Sequence, residues 1–300
     1  MHSIRSGFGL RVEGVPVLAA ARLALLGPPR HGLAFADRWG SPPRRSGRVL
    51  CSSVLAGAWP SGRALGLPWG RPMQIGQLTV ASGPAGTSPE AAVLRVQLGG
   101  DLLVCALAAR GVALPGSLPA DVGGADILLL DGVGLSAPPA PDAPAIAALN
   151  TLVARGGGVI VLDDPRLAPA IAVALPPATP LYAAGEVARR VQDLAGLPVR
   201  RFAKHLAGGG VLLWSPGRPA PTLTGRDKLH FFAPGAAPLR DWPAVPWSAA
   251  ADEVSLRALV TDSGAKDVVV WHHDAVAVAR LVDCGARLWH LVPDAQLPLM

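Results

Sequence analysis

The sequence predicts an α/β protein, and three observations carry that expectation. Apolar runs ending in an acid, "ADILLLDG" at 125–132 and "GVIVLDDP" at 158–165, have the texture of strands buried on both faces. From about residue 141 onward such runs alternate with segments of helical spacing, the pattern of a parallel sheet with crossover helices. The pair Gly99-Gly100 between two apolar runs signals a hairpin in the first half.

Taken in order, the first half reads as short strands separated by turns. "FGLRVEG" and "VPVLAAARLALLG" come first, then "GLAFADRWG" and "RVLCSSVLAG", the last running into a short helix. "QLTVAS", "AAVLRVQLGG" and "DLLVCAL" follow, with the tight turn "GPAGTSPEA" between the first two. A Pro-rich break, "SAPPAPDAP", then separates two textures. Beyond it, "AIAALNTLVARGG" predicts a helix, "RLAPAIAVAL" a helix with an internal proline, and "GEVARRVQDLAG" a helix ended by Gly196. "GGGVLLWSPG" is a strand, and "SLRALVTDSG", "KDVVVWHHD", "AVAVARLVDCG" and "ARLWHLVP" give helix, strand, helix and strand. No internal repeat or long low-complexity tract occurs.

Bulk properties narrow the functional classes. Half of the 300 residues are hydrophobic and only 16% are charged, which excludes large-scale disorder. The net charge of +6 favours an acidic partner such as nucleic acid. The basic residues are nearly all Arg, with Lys only at 204, 228 and 266; codon bias in a GC-rich gene explains that excess better than a selected phosphate-binding surface does. Cys51, Cys105 and Cys284 lie far apart with no CxxC pair, as buried thiols of a reducing compartment do. No apolar run approaches the roughly 20 residues that span a bilayer, and the N-terminus lacks a signal-peptide pattern. A cytoplasmic, soluble protein with no membrane partner is expected.

Several segments together resemble the metallo-β-lactamase fold with an inserted β-CASP region, as found in RNA and DNA processing nucleases, and most of all its ligase-associated DNA exonuclease branch. "GLRVEGVPVLAAARLALLGPPRHGLAFADRWGSPPR" is similar to the opening, where two strands lead to a loop carrying His-x-His-x-Asp-His; those places fall at about Arg38, Gly40, Pro42 and Pro43. The turn Pro84-Ala85-Gly86 resembles a Pro-Ala-Gly-His turn, with Thr87 in the histidine place. "GGDLLVCALAA" resembles the strand ending in Thr-Gly-Asp, with Cys105-Ala106-Leu107 there instead. "ADILLLDGVGLS" keeps the acid as Asp131. "VPWSAAADEVSLRALV" resembles a Ser-x-His-Ala-Asp stretch in which Ala250 takes the histidine place while Ser248, Ala251 and Asp252 match. "KDVVVWHHDAVAVARLVDCGARLWHLVP" resembles the closing segment, His272 matching a histidine and His273 replacing a glycine.

The resemblance implies a four-layer αββα sandwich with an inserted α/β subdomain: core residues 1–140, insert 141–225, closing core 226–300. It also implies two zinc or manganese ions in the active relatives, about 3.5–4 Å apart, clamping a phosphate. Here only Asp131 and His272 remain as remnant site residues, so no cofactor and no metal-dependent hydrolysis is expected. His272-His273 sit at a strand end, where neighbours point to opposite faces. Asp131 is a turn cap by its position, and Asp163-Asp164 before Pro165 fit a helix cap better than an acid–base pair. Arg38, Arg166, Arg226 and Trp247 are the candidates for nucleic-acid contact, with Trp242 and Trp271 as further stacking surfaces or core residues. Three readings stay open: a non-catalytic relative binding DNA or RNA or an active nuclease, ligase or helicase; an active exonuclease with a rearranged site; and a structural or regulatory protein.

Overall fold

A computed structural model of the chain describes residues 5–7, 9–11, 33–35, 48–58, 64–75, 78–98, 100–202, 205–215, 221, 223, 225–238, 242–272 and 274–291. The α/β class expected from the sequence is what the chain adopts. Its strands are β1 Arg5–Gly7, β2 Gly9–Arg11, β3 Leu33–Phe35, β4 Arg48–Ser52, β5 Ala64–Leu67, β6 Met73–Ile75, β7 Leu78–Pro84, β8 Ala92–Leu98 and β9 Asp101–Ala106. They continue with β10 Ile127–Asp131, β11 Gly158–Leu162, β12 Leu181–Ala183, β13 Arg200–Arg201, β14 Val211–Trp214, β15 Asp227–Phe232, β16 Ala244–Pro246, β17 Asp267–Trp271 and β18 Arg287–Leu291. The α-helices are α1 Ser53–Ala58, α2 Asp142–Ala154, α3 Ala168–Ala174, α4 Gly185–Arg189, α5 Glu253–Ser263 and α6 Ala275–Ala279.

Two large sheets organise the molecule. The first has the order β18-β17-β10-β9-β8-β7-β6, parallel from β18 to β9 and antiparallel from there to β6. Leu98 pairs with Asp101 across the two-residue connection, so the Gly-Gly signal marked a real hairpin. Period-two alternation divides this sheet's faces. Val104, Leu128, Leu130, Val268 and Val270 pack with Leu256, Leu259 and Val260 of α5 and with Val278 of α6. Leu103, Ile127, Leu129 and Val269 face the other way and pack with Leu50 and Leu67 of the small parallel sheet β3-β4-β5. Gly66 alternates with Leu65 and Leu67, and a Cβ there would lie 3.1 Å from Ala56 of α1; that helix therefore covers the small sheet's outer side.

The second sheet has the order β13-β12-β14-β11-β15-β16 and is parallel throughout. Ile160, Leu162, Leu213 and Phe231 share one face and pack with Ala145 and Leu149 of α2, Ala170 and Ile171 of α3, and Val187 of α4. This sheet extends through residue 246, past the boundary at 225 that the resemblance implied, because β15 hydrogen-bonds to β11 along its length and β16 to β15. "DKLHFF" and "AVP" escaped sequence reading: the first begins with two charges, and the second is three residues closed by proline. The proline expected inside the third helix, Pro169, lies instead in its first turn, where no intrahelical N–H is needed. Among the described residues no helix is long and apolar enough to cross a membrane.

Candidate functional site

The two sheets meet at a cleft beyond the carboxyl ends of β9, β10 and β11, the place where open α/β sheets bind ligands. A cavity of about 30 Å³ lies there, room for one or two waters. Its lining includes Thr87, Leu107, Asp131, Arg166 and Ala250.

Each of these positions follows from local chemistry. The turn after β7 is fixed by its own backbone: Ala85 N–H donates to Ala91 O at 3.0 Å and Arg110 N–H donates to Ala85 O at 2.8 Å. Gly86 sits at φ +83°, and a Cβ there would meet Arg110 O at 2.6 Å, so the turn admits glycine alone. Thr87 is thereby carried into the cleft, where its hydroxyl donates to Ala108 O at 3.0 Å. Leu107 follows β9 and packs against the apolar cluster that joins the first sheet to the small sheet β3-β4-β5. Asp131 ends β10 and accepts from Val133 N–H at 3.0 Å, a local bond that bends the chain through Gly132, the N-cap residue, into the 3-10 turn Val133–Ser136. Gly134 in that turn is the second obligatory glycine, since a Cβ would lie 1.7 Å from Ala251 O. Its absence lets the segment 249–251 lie flat on the turn and close the cavity.

The cation of the cleft is Arg166, and it is paired. Its Nε donates to Asp164 Oδ1 and its Nη2 to Asp164 Oδ2, both at 2.8 Å, while Asp164 also accepts from Arg166 N–H and Ala249 N–H. Burial pushes the Asp164 carboxyl up, but these hydrogen bonds and the guanidinium charge outweigh it and hold the group below the usual carboxylate range. Its neighbour Asp163 turns the other way and pairs with the buried His230 at 2.9 Å. The two acids are thus structural, each to a different partner, and do not form a catalytic pair.

His272, the other remnant residue, does not line the cavity. Its Nδ1 accepts from Asp274 N–H at 3.0 Å and its Nε2 lies 3.2 Å from Ser136 Oγ, so one ring nitrogen holds the loop after β17 and the other ties it to the turn after β10. Of the proposed nucleic-acid contacts among the described residues, Arg166 alone reaches the cleft. Trp247 is fully buried, stacks edge-on against Phe231 at 5.1 Å and donates its indole N–H to Asp142 at 2.7 Å; no base can reach its ring. Arg226 lies at the opposite end of the second sheet, where its guanidinium donates to the carbonyls of Gly156, Leu206 and Ala207. Arg38, His31, His273 and the other first-motif positions lie outside the described residues. Trp271 packs against the same apolar cluster as Leu107, and Trp242 lies under the Lys228 ammonium at 4.9 Å.

A bridge that sequence reading missed holds the cleft's two sides together. Arg110, 4% exposed, makes a two-pronged pair with Asp142 at 2.9 and 3.0 Å, and Asp142 also accepts from Trp247. Arg110 belongs to the loop after β9 and Asp142 opens α2, so one buried ion pair joins the first sheet's loops to the second sheet's helices. Leu114 of the same loop inserts into the second sheet's core. Nothing in "CALAARGVALPG" signals this pairing, because its partner lies 32 residues away.

The described residues that line the cavity do not supply the donors of a dinuclear metal centre. Thr87, Leu107 and Ala250 offer no imidazole, thiolate or carboxylate, and Asp131 is the only carboxylate lining the cavity. Among the described residues no group of three or more His, Cys, Asp or Glu could hold a metal ion.

No protein-family model matches the chain, and no curated protein matches it. Solved structures do. The chain is similar to a protein of unknown function from Enterococcus faecalis V583, with a TM-score of 0.59 and 11% identity over 88% of this chain and 80% of that one. At that identity the likeness concerns the fold alone.

Proposed function

We propose that the chain is a non-hydrolytic relative of the metallo-β-lactamase/β-CASP nucleases that works by binding, with nucleic acid or an active nuclease, ligase or helicase as its partner. One observation carries the reading. Thr87, Leu107, Asp131 and Ala250, which stand far apart in sequence at places where the resemblance puts histidines or acids of the active relatives, all line one small cavity. Convergence of that kind favours descent from a metal site. The side chains now there argue against its chemistry: Leu107 stands where the resemblance has the acid of Thr-Gly-Asp, and apolar surface against cations is costly. The active-enzyme alternative would need a substitute donor set, and the described residues offer none.

Purified protein assayed for metal should carry well under one zinc or manganese per chain and should not degrade single- or double-stranded DNA or RNA in their presence. Two tightly held equivalents, or nuclease activity lost on chelation, would overturn the proposal. Fluorescence titration with the same nucleic acids separates the partners. Binding that weakens steeply with salt indicates phosphate contacts. Absence of binding at low salt assigns the role to a protein partner.

A further inference from the structure

A second concavity lies at the other end of the second sheet. Because every strand of that sheet is parallel, its amino ends gather away from the cleft, and the groove there is bounded by the end of α2, the start of β15 and the residue before β16. The separation is the length of the strands, roughly 17–20 Å for five to six residues. The groove encloses about 360 Å³, the size range of small-molecule sites.

Its composition is that of a receptor for an amphipathic anion. Ala148, Leu152, Leu229 and Pro243 supply apolar wall, and Leu152 and Leu229 also belong to the second sheet's core, which fixes them. Three basic residues, Arg155, Arg226 and Lys228, line it against a single carboxylate, Asp227. Arg226 donates to the Gly156 carbonyl, two residues past α2, and its charge lies beside the negative pole of that helix and partly offsets it. Arg155 keeps its guanidinium in reach: its side chain is 69% exposed, and its nearest approach to Asp227 is 3.8 Å, a loose surface pair worth little. Lys228 is steadied by the Trp242 ring, 4.9 Å from its ammonium.

We propose that this groove binds a small organic anion, its phosphate or carboxylate on Arg155 and its flat apolar body along Leu152, Leu229 and Pro243. The site is independent of the cleft and of the function assigned to it. Phenyl phosphate, benzoate and inorganic phosphate serve as probes, followed by the indole N–H resonance of Trp242 and by calorimetry. At least one aromatic anion should bind about tenfold or more tightly than inorganic phosphate, the difference reporting the apolar wall; which of the two wins identifies the anionic group. Arg155→Ala should weaken that binding about tenfold. Thr151→Phe, an exposed substitution on α2 that fills the groove without altering charge, should abolish it. Aromatic anions no tighter than inorganic phosphate, or binding indifferent to both variants, would overturn the assignment.

Discussion

At the scale of single residues, the cleft is decided by which side chains have partners. Asp164 is the clearest case. Its folded carboxyl is held below the ordinary range chiefly by Arg166 against the opposing effect of burial, so the folded state favours the ionised form more than the unfolded chain does. The stabilisation is therefore complete above the unfolded aspartate value, about 3.9, and is lost as the pH falls through the lower folded value. Urea denaturation between about pH 2 and 6 should show wild type losing this increment on acidification, while Asp164→Asn begins less stable and lacks that part of the slope. Parallel curves for the two proteins would rule the pair out as an anchor of segment 249–251. Cys51 shows the opposite sign. Burial pushes its thiol up to about 11, which keeps it protonated and unreactive while the fold persists. The same scale corrects Trp247: an indole in the sequence is equally a stacking surface or a core residue, and only its burial against Phe231 chooses.

At the scale of elements, sequence signals and structure agree wherever a signal is local. Asp252 caps α5 through Ser255 N–H at 2.9 Å, and Gly264 at φ +64° ends it. Gly196 at φ +66° likewise closes the turn after α4. Apolar runs of four or five residues made β10, β11 and β17, the texture of strands buried on both faces. The junction between elements was not legible. Arg110 is buried and Asp142 keeps only 17% of its side chain exposed, so removing Asp142 leaves a buried guanidinium without its carboxylate. Asp142→Ala should cost about 3–5 kcal/mol, while replacing both, as in Arg110→Met with Asp142→Leu, should recover much of the loss. Chemical denaturation of the three proteins measures this, and an additive double variant would show that the pair does not couple the two sheets.

At the scale of the whole molecule, the arrangement of the two sheets creates the candidate site. Four positions between 87 and 250 approach one another only because β7, β9 and β10 end at the same edge and segment 249–251 returns to it after the second sheet. If that convergence descends from a metal centre, restoring donors should rebuild affinity. A variant carrying Thr87→His, Leu107→Asp and Ala250→His alongside Asp131 should take up about one zinc where wild type takes none, read by metal analysis after dialysis. A folded triple variant that still excludes zinc would mean that the four positions share a cavity without sharing ligand geometry.

The sequence by itself determined the class, the hairpin and most helices, because hydrophobic period and caps are local properties. The extent of the second sheet, the burial of Trp247, the turning away of His272 and the pairing of Arg166 and Arg110 were settled only by tertiary structure. Each depends on a partner that the chain brings near after folding, and no spacing along the sequence records which surfaces will be shut off from water.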